Sequence, residues 1–512
     1  MNLVRSAATV GGMTMISRVL GFARDILIAG ALGTGPIADA FFVAFKFPNL
    51  FRRLFAEGAF NSAFVPLFAK RLEGEGEASA RRFAEEALSV LLFTLIALTI
   101  VAELAMPWLM YVIAPGFADT PEKFELGILF TRIAFPYLLF MSMVALLSAV
   151  LNSVGRFTAA AAAPILLNVV LIAALMAAAP YFDNPGLVLA WGVAVAGAAQ
   201  FVMLLIAVQR AGFSFRLRWP ELTPGVRRLV TLGIPGVIAG GITQFNLLVG
   251  SIIASLQDGA VSLLYYADRI YQLPLGVVGI AIGIVLLPDL SRRLRAEDGS
   301  GANNAQNRAF EFAMVLTVPA AVALAVIPVP IIQVLFERGA FDAADTQGTA
   351  VALAAFALGL PAFVLTKVFS PGFFAREDTL TPMRYAAIGI AVNIAGSLAL
   401  FFWIGHVGIA LATSAAAWVN AGLLGTRLVR LGYYEVDDRL KARLPRLFLA
   451  CAIMGGGLYF GAEAAAPWLA GSFAESIAAL AVLVAGGLGL FAVAALATGA
   501  TRMSDLKGAL RR

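Results

Sequence analysis

Long, continuous apolar runs recur almost from one end of the chain to the other, and they constrain its fold more than any other feature. A helix needs about 20 mostly apolar residues to cross the hydrocarbon core of a bilayer. Backbone groups inside lipid must bond to one another, so such runs form helices or a closed barrel. These runs do not alternate between polar and apolar residues, so the sequence predicts an all-α integral membrane protein.

Composition agrees with this interpretation. Hydrophobic residues make up 61% of the chain and charged residues 13%, whereas a soluble domain is about 45–50% apolar and about 25% charged. The excess indicates a surface that faces lipid. About fourteen transmembrane helices are predicted, each about 20 residues or longer. They lie near residues 8–30, 36–58, 85–113, 127–151, 159–180, 187–208, 229–253, 261–288, 309–336, 348–374, 383–403, 407–429, 446–467 and 476–499.

The loops between these runs alternate in charge. One set holds most of the Lys and Arg residues, for example in 70–82, 210–228, 292–308 and 427–446, and both termini belong to it. The other set is nearly free of them. Cytoplasmic loops carry the excess of Lys and Arg, so both termini are predicted to be cytoplasmic. The same rule accounts for the net charge of +6 without a nucleic-acid partner.

The chain also repeats itself at a shift of about 222 residues. The matching segments are Thr9–Gly11 with Thr231–Gly233, Phe64–Leu72 with Leu286–Leu294, Pro136 and Asn168 with Pro361 and Asn393, and Gly186–Ala190 with Gly408–Ala412. The repeat predicts two pseudo-symmetric six-helix lobes of one orientation, at 1–218 and 219–437. Two further helices occupy 438–512. Parallel repeats of this kind are typical of transporters, with the substrate path between the lobes.

Ionisable residues inside the spans are the candidates for function. An Arg or Lys at the centre of a spanning helix costs about 2.5–3.5 kcal/mol, so these groups should face an aqueous cavity or each other. The first two spans alone hold five cations against three acids. The complete set is Arg18, Arg24, Asp25, Asp39, Lys46, Arg52, Arg53, Glu57, Glu103, Arg132, Asp268, Arg269 and Lys367.

A surplus of cations in a cavity suits a multivalent anion, and the planar fork of arginine suits phosphate best. The candidate substrate-binding residues are Arg18, Arg24, Arg52, Arg269, Lys46, Asn49 and Arg53. The candidate gating residues, which hold the arginines or exchange partners with them, are Asp25, Asp39, Glu57 and Asp268. Structural explanations remain for Arg53 with Glu57 and for Arg132 with Glu103, as simple ion pairs. His406 has no nearby ligand group, so we expect neither a metal nor a general-base role for it.

Several of these residues lie in motifs that resemble the MurJ (MviN) family of lipid II flippases, within the larger multidrug/oligosaccharidyl-lipid/polysaccharide exporter superfamily. The motifs are Ser17–Asp25, Asp39–Phe60, Ala114–Ala118, Tyr266–Ile270 and Lys367–Arg376. The resemblance implies fourteen spans, a central cationic cavity and a groove for the lipid tail at 438–512. It also implies critical roles for Arg18, Arg24, Arg52 and Arg269, and gating roles for Asp25, Asp39 and Glu57. Gln272 departs from the family, where some members carry an acid.

The resemblance further implies the activity. The chain would move lipid II, an undecaprenyl-pyrophosphate-linked peptidoglycan precursor, from the cytoplasmic to the periplasmic leaflet by alternating access. It would lie in the bacterial inner membrane as a monomeric transporter rather than an enzyme. No cofactor is expected, and the membrane potential or a monovalent cation would drive transport. Lipid II and membrane lipids are the expected partners, with cell-wall synthesis proteins as further candidates and nucleic acid excluded.

Other functions stay open from the residues alone. A flippase for another lipid-linked oligosaccharide, of the O-antigen type, would need the same arginines. A multidrug exporter of cations would present buried acids without the arginine surplus. An enzyme acting on a polyprenyl pyrophosphate would need a close pair of acids for proton transfer or metal binding, and a passive scaffold would have no use for buried charges.

Overall fold

The computed structural model describes residues 3–52 and 61–501. Within these ranges the chain forms eighteen α-helices and no β-strand, so the predicted all-α fold is confirmed. Three candidate residues fall outside this description. They are Arg53 and Glu57, and the side chain of Arg52.

Contacts divide the chain into two compact units, Met1–Ser262 and Leu263–Arg512, and the division falls inside helix α10. The helices of the first unit are α1 (Leu3–Leu32), α2 (Pro36–Arg52), α3 (Asn61–Gly74), α4 (Glu77–Ile113), α5 (Pro121–Ala134), α6 (Tyr137–Ser153), α7 (Thr158–Ala173), α8 (Pro185–Arg210) and α9 (Pro224–Ser255). The remaining helices are α10 (Ala260–Arg295), α11 (Gly299–Val326), α12 (Pro328–Phe336), α13 (Ala343–Ala357), α14 (Leu360–Phe374), α15 (Leu380–Ile404), α16 (His406–Arg430), α17 (Asp438–Leu469) and α18 (Phe473–Ala497).

Ten helical segments of the described chain are long and apolar enough to cross a bilayer. They include α4, α8, α11 and α15 to α18, together with three segments that join neighbouring helices. The protein is therefore a multi-pass membrane protein. Helices α1 and α10 are as long as these segments, but they carry the charges discussed below.

Three predicted spans are each divided into two helices: 127–151 (α5 and α6), 309–336 (α11 and α12) and 348–374 (α13 and α14). A proline lies at or just after each division, at Pro136, Pro328 and Pro361. Proline has no N–H to donate to the preceding turn, so it ends one helix and is well placed in the first turn of the next. These segments are therefore bent pairs of helices.

Helix α3 lies where the sequence predicts a basic loop, and that prediction is wrong. Its residues Ala63, Phe64 and Phe68 are buried, and α3 packs against α4 and α6. At 14 residues the helix is too short to cross a bilayer. The cations Lys70 and Arg71 marked the segment as a loop, but its apolar residues recur at helical spacing and are buried on one side.

The segment 211–223, which follows α8 and leads into α9, has no regular structure but is held firmly to α4. The buried carboxylate of Glu85 accepts hydrogen bonds from the Arg216 backbone N–H at 3.1 Å and from Arg218 Nε at 2.6 Å. Ser89 Oγ accepts from the Arg218 backbone N–H at 3.0 Å. Thr223, the N-cap of α9, donates from Oγ1 to Glu86 at 2.8 Å. The connection is thus part of the packed first unit.

In the second unit, α17 packs against both α18 and α11. A cluster of charges joins α17 to α11. Glu311 of α11 is nearly buried and pairs with Arg443 and with Arg439, whose Nε lies 3.1 Å from Glu311 Oε2. Arg308 pairs with Glu311 and with Asp437. These ion pairs fix the start of α17 on α11.

Candidate functional site

Arg24 on α1 forms the centre of the first charged cluster, which we call the Arg24 cluster and which comprises Arg24, Asp25 and Asn168. Arg24 and Asp25 are both buried. The Arg24 guanidinium donates to Asp25 Oδ1 from Nε at 3.0 Å and from Nη2 at 2.6 Å. It also donates from Nη1 to Asn168 Oδ1 at 2.8 Å. The arginine is therefore held on two sides by fixed acceptors.

The helices explain this arrangement. Helix α1 packs against α7, which carries Asn168, and the Asn168 side chain lies next to Gly21 of α1. Asn168 Nδ2 in turn donates to the Ser17 backbone oxygen at 2.9 Å, so the amide bridges two positions of α1. The Arg24 guanidinium carbon lies 5.7 Å from the centre of the Phe45 ring on α2, within range of a cation–π contact.

A second cluster, the Asp39 cluster, comprises Asp39, Lys123, Asp258, Gly259 and Ser262, all within the first unit. The turn between α1 and α2 places Asp39, since Gly33 and Gly35 adopt φ values of 59° and 121° that favour glycine. Asp39 follows in the first turn of α2, where the positive end of the helix dipole favours a carboxylate.

Asp39 is fully buried, and the structure describes four hydrogen bonds to its carboxylate. Oδ1 accepts from the Ser262 backbone N–H at 2.9 Å and from Ser262 Oγ at 2.8 Å. Oδ2 accepts from the Gly259 backbone N–H and from Lys123 Nζ, both at 2.8 Å. Three of these donors lie in or next to the turn 256–259 between α9 and α10. Asp39 thus joins α2 to that turn.

The sequence predicts that Asp39 holds arginines or exchanges partners with them, whereas the cationic partner that the structure describes for Asp39 is Lys123 of α5. The reason is position, because Asp39 lies at the start of α2 beside the start of α5. Sequence reasoning did not select Lys123 or its second partner Asp258, 2.8 Å away. The sequence does set Lys123 apart, because it directly follows a predicted external loop and such loops hold almost no Lys or Arg.

The motif Ala114–Ala118 lies against the end of α9. The Gly116 backbone N–H donates to Ser255 Oγ at 3.3 Å. A Cβ at Gly116 would lie 2.2 Å from the Ser255 carbonyl oxygen and 2.5 Å from Leu256 Cα, both backbone atoms. Only glycine permits this approach, which brings the chain just before α5 next to the turn 256–259.

We therefore expect Gly116→Ala to displace the turn 256–259 from Asp39. The added methyl group meets rigid backbone, so the cost should be about 1–3 kcal/mol, as for other overpacked sites. The measurement is the midpoint of thermal unfolding in detergent, which should fall. Gly456→Ala is the matched control, because a Cβ there meets nothing within 4 Å. An unchanged midpoint for Gly116→Ala would contradict the close approach.

The other candidate residues are placed as follows. Lys46 is half-buried on α2, and Asn49 Nδ2 donates to the Phe45 carbonyl oxygen at 2.7 Å. Arg18 is exposed on α1. In the second unit, Asp268 and Arg269 are half-buried on α10; Asp268 accepts from Gln272, and Arg269 donates to Tyr265 Oη at 2.7 Å.

Arg132 and Glu103, for which a structural explanation was expected, lie next to each other. Arg132 is exposed, and its Nε lies 3.2 Å from the Glu103 carbonyl oxygen and 4.0 Å from Glu103 Oε2. Lys367 is exposed on α14. His406 begins α16, and its Nε2 lies 3.0 Å from the Gly348 carbonyl oxygen.

Many membrane-crossing helices combined with buried, paired charges are typical of polytopic membrane transporters, where ionisable residues line substrate and ion pathways. The family model described as lipid II flippase MurJ matches residues 28–479. The chain belongs to the MurJ family.

Relatives of the same family match this chain over nearly its whole length. A probable lipid II flippase MurJ from Rhizobium tropici is 53% identical over 464 residues, covering 90% of this chain and 87% of the relative. A probable lipid II flippase MurJ from Rhizobium meliloti (strain 1021) is 50% identical, covering 100% of this chain and 97% of the relative. The resemblance found in the motifs is thus confirmed.

Solved structures share the fold. A lipid II flippase MurJ in an inward closed conformation matches with a TM-score of 0.76 at 23% identity, covering 95% of this chain and 97% of that chain. An inward-facing multidrug resistance MATE family transporter of the MOP superfamily matches with a TM-score of 0.66 at 15% identity, covering 83% and 98%. At these identities the likeness concerns the fold alone.

Proposed function

We propose that this protein flips lipid II from the cytoplasmic to the periplasmic leaflet of the bacterial inner membrane. The observation that carries the proposal is membership of the MurJ family over almost the entire chain, with relatives named as probable lipid II flippases. The Arg24 cluster supports it chemically. A buried arginine held by neighbouring acceptors inside a membrane protein is a costly arrangement that a polar or anionic cargo would explain.

The substrate-binding group of the proposal is Arg18, Arg24, Arg52 and Arg269, lined by Lys46, Asn49 and Arg53, in a cavity that receives the pyrophosphate. Arginine can give a phosphate two parallel charge-assisted hydrogen bonds. Arg24 already donates from three nitrogen atoms, all to oxygen acceptors. An incoming pyrophosphate would offer the guanidinium oxygen acceptors that carry more negative charge than Asp25 and Asn168. Arg24 would therefore exchange one set of hydrogen-bond acceptors for another. The undecaprenyl tail would lie in a groove at 438–512.

The transport cycle of the proposal is alternating access by two six-helix lobes within fourteen spans. The Asp39 cluster supports this mechanism, since Asp39 belongs to the lobe predicted at 1–218 while Gly259 and Ser262 belong to the lobe predicted at 219–437. A movement that separates Asp39 from the turn 256–259 would break the three hydrogen bonds from Gly259 and Ser262 together. Asp25, Glu57 and Asp268 would exchange partners during the same movement.

The driving force of the proposal is the membrane potential or a monovalent cation, with no bound cofactor. Moving one elementary charge through the membrane potential is worth about 2.3 kcal/mol per 100 mV, which is enough to bias a conformational equilibrium. Both termini and the basic loops would be cytoplasmic, as the distribution of Lys and Arg predicts. The protein would act as a monomeric transporter with lipid II and membrane lipids as its partners, and cell-wall synthesis proteins beside it.

The test is complementation. A bacterium is depleted of its own lipid II flippase, this chain is supplied, and the lipid II exposed at the outer surface of the membrane is measured. We expect the chain to restore surface lipid II and growth. An empty vector is the negative control, and a known member of the family is the positive control. Accumulation of lipid II in the inner leaflet despite normal membrane levels of this chain would overturn the proposal and favour another lipid-linked oligosaccharide as cargo.

A further inference from the structure

Lys123 is an unusual lysine. Its side chain is only 1% exposed, although burying an ammonium group without partners is very unfavourable. It is also the third residue of α5, where the positive end of the helix dipole disfavours a cation. Two unfavourable features at one residue indicate that its partners, rather than its local position, determine where it lies.

Those partners are two carboxylates with opposite exposure. Lys123 Nζ lies 2.8 Å from Asp39 Oδ2 and 2.8 Å from Asp258 Oδ1. The Asp39 side chain is 0% exposed, whereas that of Asp258 is 75% exposed. Nζ also lies 4.5 Å from the centre of the Phe117 ring, within range of a cation–π contact. One ammonium group is thus shared between a buried acid and an acid at the surface.

The two carboxylates belong to different parts of the first unit. Asp39 lies on α2, which packs against α5, so its bond to Lys123 is internal to a packed pair of helices. Asp258 lies on the turn 256–259, which also supplies Gly259 to Asp39. If the turn moves away from α2, Asp258 leaves with it and Asp39 loses its donors from Gly259 and Ser262. Lys123 is the donor to Asp39 that does not lie on that moving segment.

We propose that Lys123 is a positioning residue of the gate formed by the Asp39 cluster, an inference that rests on the proposed flippase function. Its ammonium neutralises the buried Asp39 carboxylate whether the turn 256–259 is docked or displaced. Through Asp258 it also holds the turn in the docked position. The Lys123–Asp258 ion pair breaks when the turn is displaced and forms again when the turn docks. The Lys123–Asp39 ion pair persists throughout.

The experiment measures displacement of the turn directly. Ala260, the first residue of α10, is 0% exposed, so a cysteine there reacts only when the turn moves. The parent variant is Ala260→Cys with Cys451→Ser, which removes the native cysteine. Intact cells are treated with a membrane-impermeant maleimide, and labelling rate, membrane protein amount and surface lipid II are recorded.

Adding Lys123→Met to the parent removes the charge and keeps a long, unbranched side chain. We expect about tenfold faster labelling or more, since a buried ion pair is broken, together with a clear loss of surface lipid II. The matched control is Lys441→Met, because Lys441 is an exposed lysine paired with Asp438 at 3.2 Å on α17. It should change neither labelling nor flipping.

A second variant, Asp258→Asn, leaves all four hydrogen bonds to Asp39 in place, so it is informative even where Lys123→Met fails to reach the membrane. We expect about two- to fivefold faster labelling, because the ion pair it breaks is partly exposed. In the Lys123→Met background the same change should add nothing.

Labelling at the parent rate in Asp258→Asn and in Lys123→Met would overturn the role of Lys123. Equal effects of Asp258→Asn with and without Lys123 would also overturn it, since the pair would then be uncoupled. The unmodified chain tests the flippase function separately, in the complementation assay. Failure of the unmodified chain to restore surface lipid II contradicts that function, while the labelling rates still decide whether Lys123 holds the turn.

Discussion

Replacing Arg24 with alanine is expected to abolish lipid II flipping while the protein remains in the membrane. The change removes the three hydrogen bonds that the guanidinium donates to Asp25 and Asn168 and leaves Asp25 buried without them. Removing one partner of a buried ion pair costs about 3–5 kcal/mol, which corresponds to more than a hundredfold change in any equilibrium that depends on the pair. The measurement is surface lipid II in the complementation assay, with the membrane level of the variant determined in parallel.

Arg132→Ala is the matched control for Arg24→Ala, because Arg132 is an exposed arginine with a weak partner in Glu103. It should leave flipping intact. Arg18→Ala and Arg269→Ala are expected to abolish flipping as Arg24→Ala does, and Arg24→Lys should recover little, since an ammonium cannot reproduce the planar fork. Full flipping by all three alanine variants would refute the arginine cavity.

Asp39→Ala has the second of the two largest expected effects, and it should act on both stability and transport. It removes the acceptor of four hydrogen bonds and leaves the Lys123 ammonium buried with Asp258 as its remaining carboxylate. We expect a loss of about 3–5 kcal/mol in the first unit, as for other broken buried pairs. The readouts are the thermal midpoint in detergent and surface lipid II, and both should fall.

The control for Asp39→Ala is Asp258→Asn, which removes a partly exposed ion pair worth about 0–1 kcal/mol and keeps Asp39 intact. It should lower the thermal midpoint little. Two outcomes would count against the role of Asp39. One is an Asp39→Ala variant as stable as the unmodified protein, and the other is an equal loss of stability in Asp258→Asn.

Much of the fold follows from local sequence, because a membrane requires every spanning segment to satisfy its own backbone. Apolar runs therefore located helices such as α8, α15 and α18 to within three residues at each end. Helix α3 was missed, since its burial between α4 and α6 depends on tertiary packing that a charge pattern does not report. The divisions at Pro136, Pro328 and Pro361 were not predicted either, although the prolines are evident in the sequence.

Part of the candidate site could be predicted from the sequence, because the membrane also makes buried charges costly. Arg24 and Asp25 are costly inside a span, so their selection required no knowledge of partners. Lys123 and Asp258 lie at the ends of helices, where charges are ordinary, and only folding shows that the Lys123 side chain is buried. Asn168 was noticed as part of the repeat, yet its bond to Arg24 joins residues far apart in sequence. Such partners are determined by packing.

The attachment of 211–223 to α4 bears on whether the chain can be divided between α8 and α9. A flexible connection at this point would leave the chain open to cleavage. Here the carboxylate of Glu85 and the hydroxyl of Ser89 bind the backbone of Arg216 and Arg218. A protease that cleaves after arginine would have to pull these residues off α4 before cutting. The segment 211–223 is thus a built-in part of the first unit, and a version of the protein divided at this point would lose packing as well as continuity.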